Sequence, residues 1–177
     1  MSNVKWGNCF FPVSILFLDQ GTKFIISRTM PLNHSIPVIE NLFNLTHITN
    51  PGAAFGFLAG ANRILRSSFL ILFSILAMVF IVTLLRRLPD KETTLNTALT
   101  FILGGAIGNL IDRLLYGEVI DFLDFYWSRF HWPAFNFADS FITIGVILSL
   151  YRLITTKGGD PFTPGGKWIN SQQAIRH

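Results

Sequence analysis

Ser67–Leu85 reads SSFLILFSILAMVFIVTLL, with no charged side chain inside it and Arg86-Arg87 closing it. A helix rises about 1.5 Å per residue, so about 20 predominantly apolar residues cross the hydrocarbon core of a bilayer. This stretch predicts a membrane-crossing helix, and the rest of the chain is then read with lipid as its solvent. Leu95–Leu115 is a second candidate span, carrying Asp112 and Arg113 near its end, and Pro133–Leu153 is a third, with Asp139 near its start. The fourth comes first in sequence. Cys9–Ile26, running on to about residue 28, is apolar except for Asp19, Gln20 and Lys23. Lys5 ahead of the run Phe10–Leu18 would also suit a signal peptide, but no small-x-small cleavage site follows and apolar residues resume at Phe24-Ile25-Ile26.

Composition agrees. Half of the 177 residues are hydrophobic and 14% are charged, where a soluble domain carries about a quarter. The net charge of +4 does not point to nucleic acid, because Lys and Arg form no stripe with interleaved aromatics. In a membrane protein such an excess belongs to the cytoplasmic connections. With four spans, one side holds Lys5, Arg86, Arg87, Lys91, Arg152, Lys157, Lys167 and Arg176, and the other only Arg28, Arg63, Arg66 and Arg129. The asymmetry places both termini in the cytoplasm. Trp6 inside, with Tyr116, Trp127 and Trp132 outside, fits as interface anchors.

Two connections, 29–66 and 116–132, then fall on the outer side. In the first, Leu42–Asn50 (LFNLTHITN) partly alternates and is rich in β-branched residues, which predicts a short strand or hairpin ending at the Pro51-Gly52 turn. Ala59–Arg66 reads as a short amphipathic helix on the membrane surface. The second connection holds Glu118, Asp121 and Asp124. The tail, residues 155–177, is Gly/Pro-rich and polar, a loosely ordered cytoplasmic extension.

Ionisable residues within spans are expensive, about 2.5–3.5 kcal/mol each even on insertion scales, so they are expected in pairs facing the bundle interior. Asp19 and Lys23 are four apart with the acid first, the favourable order on a helix, and Asn109 and Arg113 repeat the spacing. Asp112 belongs with them. Gly104 and Gly108 give a GxxxG spacing that lets another backbone come close. Asp139 sits about one turn into the last span, where the helix dipole favours a carboxylate, and Asp121 lies among apolar residues at the same membrane face. Two carboxylates converging at a partly dry interface cannot both ionise easily, and such a pair can hold a single proton as an aspartic peptidase requires. Asp124 is as near the interface as Asp121, and spacing does not choose between them.

Other chemistries read poorly. The lone Cys9 excludes an internal disulfide and a Cys-rich metal site, and the four histidines lack metal-binding spacing. There is no S-x-x-K, P-loop or dinucleotide fingerprint, so neither a metal nor an organic cofactor is expected. A non-enzymatic alternative makes Asp19, Lys23, Asp112 and Arg113 an ion or proton relay, although four spans with no evident inverted repeat argue against a complete transporter.

Five blocks together carry a resemblance. They are Asp19-Gln20-Gly21-Thr22-Lys23, Asn50-Pro51-Gly52-Ala53-Ala54-Phe55, Gly104 to Arg113 (GGAIGNLIDR), Val119-Ile120-Asp121-Phe122 and Phe135-Asn136-Phe137-Ala138-Asp139. In these, over most of residues 10–155, the chain resembles the lipoprotein signal peptidases (signal peptidase II), bacterial aspartic peptidases of the cytoplasmic (inner) membrane. The resemblance implies a four-transmembrane-helix bundle, all-α apart from a small extracytoplasmic β-cradle beside a short surface helix. It implies that Asp121 and Asp139 form the catalytic dyad, that Asn50, Gly52, Asn109, Arg113 and Asn136 bind substrate or brace the site, and that Asp19, Lys23 and Asp112 form a supporting network. It further implies lipidated prolipoprotein substrates within membrane lipid and inhibition by globomycin. The charge pattern gives no nucleic-acid partner, and a monomer is expected, though the residues do not fix the oligomeric state.

Overall fold

The computed structural model describes residues 10–52, 62–89 and 92–155. Cys9, the segment Ala53–Ala61 and the tail beyond Thr155 lie outside these residues. Four long helices and four strands follow in the order α1 (Phe10–Thr29), β1 (His34–Ile39), β2 (Phe43–Asn50), α2 (Arg63–Arg87), α3 (Thr93–Tyr116), β3 (Val119–Trp127), β4 (Phe130–His131) and α4 (Phe137–Thr155). Three of the helices, α2, α3 and α4, are long and apolar enough to cross a membrane. The 20-residue α1 is long enough, but Asp19, Gln20 and Lys23 lower its hydropathy below that of the other three.

Helix boundaries depart from the sequence reading where caps decide them. The Asn62 side chain accepts from the Leu65 N–H and starts α2, so Arg63–Arg66 form the first turn of that long helix and not the end of a separate surface helix. At its other end α2 runs to Arg87. The last helix begins at Phe137 and not at Pro133, because Phe135 is extended and exchanges backbone bonds of 2.8 and 3.0 Å with Leu123. Gly117 ends α3 in the left-handed region, at φ 78°, donating to the Arg113 carbonyl. A side chain there would carry the Cβ penalty that glycine avoids.

The connection 116–132, for which no strand was expected, is largely extended. It supplies β3 and β4, which join the β1–β2 hairpin in one antiparallel sheet of order β1-β2-β3-β4. β2 runs over Phe43–Asn50, within the stretch expected to be extended. It pairs with β3 so that Leu45 faces Leu123, Ile48 faces Asp121 and Asn50 faces Val119, with one extra β2 residue bulged between Leu45 and Ile48.

Helix α3 is the central post, packed against α1, α2 and α4. Its glycines set the spacing. A Cβ on Gly105 would collide with the Ala138 carbonyl of α4, and one on Gly108 would sit 2.5 Å from the Asp19 carboxylate of α1. Bare backbone is therefore what lets three helices meet at one level. The polarity is inverted relative to a soluble domain: Phe69, Phe73, Leu76 and Phe80 of α2 are exposed, while the largest fully buried side chains are Lys23, Asn136, Asp19, Asp112 and Asp121. Apolar contact is gathered at the two ends, around Ile81, Leu88, Leu95 and Leu99 at one and Ile26, Met30 and Phe122 at the other.

Candidate active site

The polar interior is assembled from five elements, α1, β2, α3, β3 and α4. Asn136 stands before the first turn of α4. Its Oδ1 accepts the Asp139 N–H at 2.9 Å, and the Asp139 carboxylate reaches back to the Asn136 N–H at 3.4 Å. This is a reciprocal cap, satisfying N–H groups that have no partner within the helix. Capping fixes Asn136 Oδ1, and so aims Nδ2 the other way, onto Asp121 Oδ1 at 2.7 Å and, at 3.2 Å each, the Ile120 carbonyl and Asn109 Oδ1. One side-chain amide thus bonds the Asp121 carboxylate and the backbone N–H of Asp139.

Each acid has a second amide. Asn109 Nδ2 donates to Asp139 Oδ1 at 2.7 Å, and Asn50 Nδ2 donates to Asp121 Oδ2 at 3.0 Å. Asn50 is itself oriented by the Asn50-Pro51-Gly52 turn, whose Gly52 N–H donates to Asn50 Oδ1 at 2.8 Å with Gly52 at φ 83°. Arg113 donates from Nη1 to the Asn109 carbonyl at 3.3 Å, one turn back on α3. Below this layer, Lys23 Nζ bonds Asp19 Oδ2 and Asp112 Oδ2 at 2.8 Å each and Asn109 Oδ1 at 3.0 Å. Every charged residue singled out within the spans is thus tied into one connected cluster.

Asp124 is not part of it. Residues three apart on a strand point to opposite faces, where on a helix they would share one. Asp121 faces α3 and α4; Asp124 accepts from Asn44 Nδ2 at 2.9 Å and lies 2.9 Å from His131 Nδ1, whose ring stacks on Tyr126. Glu118 is half-buried near Arg63, at 3.6 Å. Sequence reading gave no role to Gln20, which donates to Asp112 Oδ1 at 2.9 Å and to the Gly108 carbonyl at 3.1 Å. Its signal was its position beside Asp19 in an apolar helix. The Asn136-x-x-Asp139 cap was likewise legible, as the spacing of a reciprocal helix start.

The electrostatics raise the proton affinity of Asp121. Asp121 is pushed up to about 7, first by burial and then by the charge of Asp139, against the opposing bonds from Asn50 and Asn136 and the charge of Lys23. A carboxyl that titrates near neutrality can give or take a proton at physiological pH. Among the described residues no cluster of His, Cys, Asp and Glu is placed to hold a metal ion.

The family model described as signal peptidase (SPase) II matches residues 11–155. A lipoprotein signal peptidase of Desulforapulum autotrophicum is 47% identical over 152 residues, covering 86% of this chain and 94% of that protein. Another, from Geobacter sulfurreducens, is 53% identical over 139 residues, covering 78% and 86%. A solved structure described as a bacterial membrane enzyme superposes with a TM-score of 0.74 at 34% identity, covering 86% of this chain and 96% of that one. Motifs, fold and relatives converge: this chain belongs to the signal peptidase II family of membrane peptidases.

Proposed function

We propose that the protein is an aspartic endopeptidase that removes signal peptides from diacylglyceryl-modified prolipoproteins, cutting before the lipid-bearing cysteine, with Asp121 and Asp139 as its dyad. The observation that carries this reading is the single Asn136 side chain, which bonds the Asp121 carboxylate with its amide N–H and the Asp139 backbone N–H with its amide oxygen. It supports a pair held in register across β3 and α4. One carboxylate, ionised, takes a proton from a water that attacks the scissile carbonyl. The other, protonated, polarises that carbonyl and then helps protonate the leaving amine. Asn50, Gly52, Asn109, Arg113 and Asn136 orient the acids and steady the developing charge. No covalent intermediate forms.

In this reading α1 also crosses the bilayer, its ionisable face turned inward, and both termini are cytoplasmic. The sheet and the dyad lie at the extracytoplasmic face of the bacterial cytoplasmic membrane. The substrate's acyl chains stay in the lipid, so its diffusion is confined to two dimensions and the bond arrives at the depth of the acids.

The test is cleavage of a lipidated precursor peptide by the detergent-solubilised protein, with and without globomycin. Globomycin-sensitive release of the signal peptide is expected. Cleavage of non-lipidated peptide at the same rate, or none of the lipidated one, would overturn the reading.

A further inference from the structure

Two buried carboxylates outside the proposed dyad each hold a backbone N–H, and the choice of N–H is informative. Asp19 Oδ1 accepts from Ala138 N at 2.9 Å, and Asp112 Oδ2 accepts from Ile120 N at 3.2 Å. Ala138 and Ile120 immediately precede Asp139 and Asp121. The backbone leading into each proposed reactive acid is therefore fixed by a second acid, one from α1 and one from α3. A single group joins the two: Lys23 Nζ bonds Asp19, Asp112 and the Asn109 oxygen, which uses all three of its donors. Asn109 in turn donates to Asp139.

We infer that Lys23 is a positioning residue for the proposed dyad: it orients the two carboxylates that grip the peptide groups before Asp121 and Asp139, and supplies the buried positive charge against which the pair shares its proton. This rests on the dyad reading and goes beyond bracing of the bundle. Bracing needs only that the ion pairs form, and any part of the helices would serve. Here the three contacts converge on the two peptides that set the reactive side chains. The charges acting on Asp121 are Lys23 from α1, Arg113 from α3 and Asp139 from α4, with Asn50 of β2 and Asn136 as neutral donors; Asp19 and Asp112 are paired with Lys23. Acids outnumber cations, so loss of one positive charge bears directly on proton sharing.

The experiment is the pH profile of kcat/KM for the full-length protein in detergent, on a lipidated precursor peptide. Asp121 retains its proton up to about pH 7, which sets the alkaline limb. Lys23→Met removes a charge that favours the ionised form and should move that limb up by about half a pH unit. Asp112→Asn leaves Lys23 less neutralised and should move it down by about as much. Gln20 can turn its amide to accept from the new Asn, at the loss of its bonds to the Gly108 carbonyl and Asp19. Both should also lower the rate by about tenfold through lost positioning.

Opposite displacements support the inference. Two slower enzymes with an unmoved limb, or failure of both variants to accumulate in the membrane, would show that the network serves folding alone and would overturn it. Lys23→Met leaves two acids buried without their cation; if it alone fails to accumulate, the downward shift in Asp112→Asn decides. Full activity in Asp121→Asn, measured alongside, would instead sink the dyad reading itself.

Discussion

Asp121 and Asp124 sit three residues apart on β3, both buried, and their surroundings share almost nothing. Asp121 points into the bundle, toward two amides, a second carboxylate and a buried lysine. Asp124 points to the opposite face of the sheet, where Asn44 and the half-exposed ring of His131 satisfy it. In the first setting burial and a like charge raise the affinity for a proton. In the second a hydrogen-bond donor and an ionisable base lie within reach of water. Burial alone does not make a reactive acid; what matters is whether the neighbouring groups leave the proton in contention.

The largest effect that would test this contrast is loss of the proposed dyad. Asp121→Asn and Asp139→Asn keep the shape and some hydrogen bonds but remove the exchangeable proton, and each should lower kcat/KM by about 10⁴-fold. Because the pair acts as a unit, the double variant should be little worse than either single one. Both proteins should still accumulate in the membrane, which immunoblotting of the membrane fraction checks. Tenfold or smaller losses in the single variants would erase the distinction between the two acids.

Next is Gly105→Val. The new side chain meets the backbone carbonyl of Ala138, which cannot swing aside as a flexible side chain would. α4 must move away from α3 and carry Asp139 with it, while the Asp124 side of the sheet is untouched. Thermal unfolding in detergent should show a destabilisation of about 3 kcal/mol. Peptidase activity should fall while Tyr126 and His131 keep their stacked environment, observable by NMR of the His131 ring. An unchanged melting temperature would mean that the helices have room to spare at this level.

How much of this contrast the sequence could carry depended on period. The long apolar runs in α2, α3 and α4 announced their elements, and Asp19 and Lys23 announced their pairing, because helical spacing of four puts them on one face. Asp121 and Asp124 could not be separated without knowing the local structure: a helix would have placed both on one side, a strand on opposite sides. Val119–Trp127 is rich in aromatic and β-branched residues, yet no strand was read there. The strand exists because β2 from a distant connection pairs with it, and that contact has no local signature. The same holds for Gln20, whose partners Asp112 and Gly108 lie on another helix. Residue types could be read from the chain, but the convergence of α1, α3, β3 and α4 was fixed only by tertiary packing.

A subtler probe is Asn50→Ala. Its amide donates to Asp121 Oδ2 and so favours the ionised carboxylate. Without it the Asp121 proton should be held to a pH above about 7, and the alkaline limb of kcat/KM should shift upward. The rate below that limb should fall by about tenfold, the scale of one hydrogen bond to a charged group. A downward shift would mean that Asn50 serves the neutral acid instead.

The smallest effect should come from the other side of the comparison. Asp124→Asn keeps an oxygen facing Asn44 or His131 and removes only a charge whose partner is a histidine with a half-exposed side chain. Pairs of that kind contribute about 1 kcal/mol or less, so activity should stay within about fivefold of the parent. The pH profile should keep the alkaline limb set by Asp121, because no bond joins Asp124 to the dyad. The one expected change lies at His131, whose ring loses a carboxylate partner, a change of environment that NMR of its ring protons would follow. If Asp124→Asn abolished cleavage while Asp121→Asn spared it, the two carboxylates would have exchanged roles, and the strand's period would have been assigned to the wrong face of the chemistry.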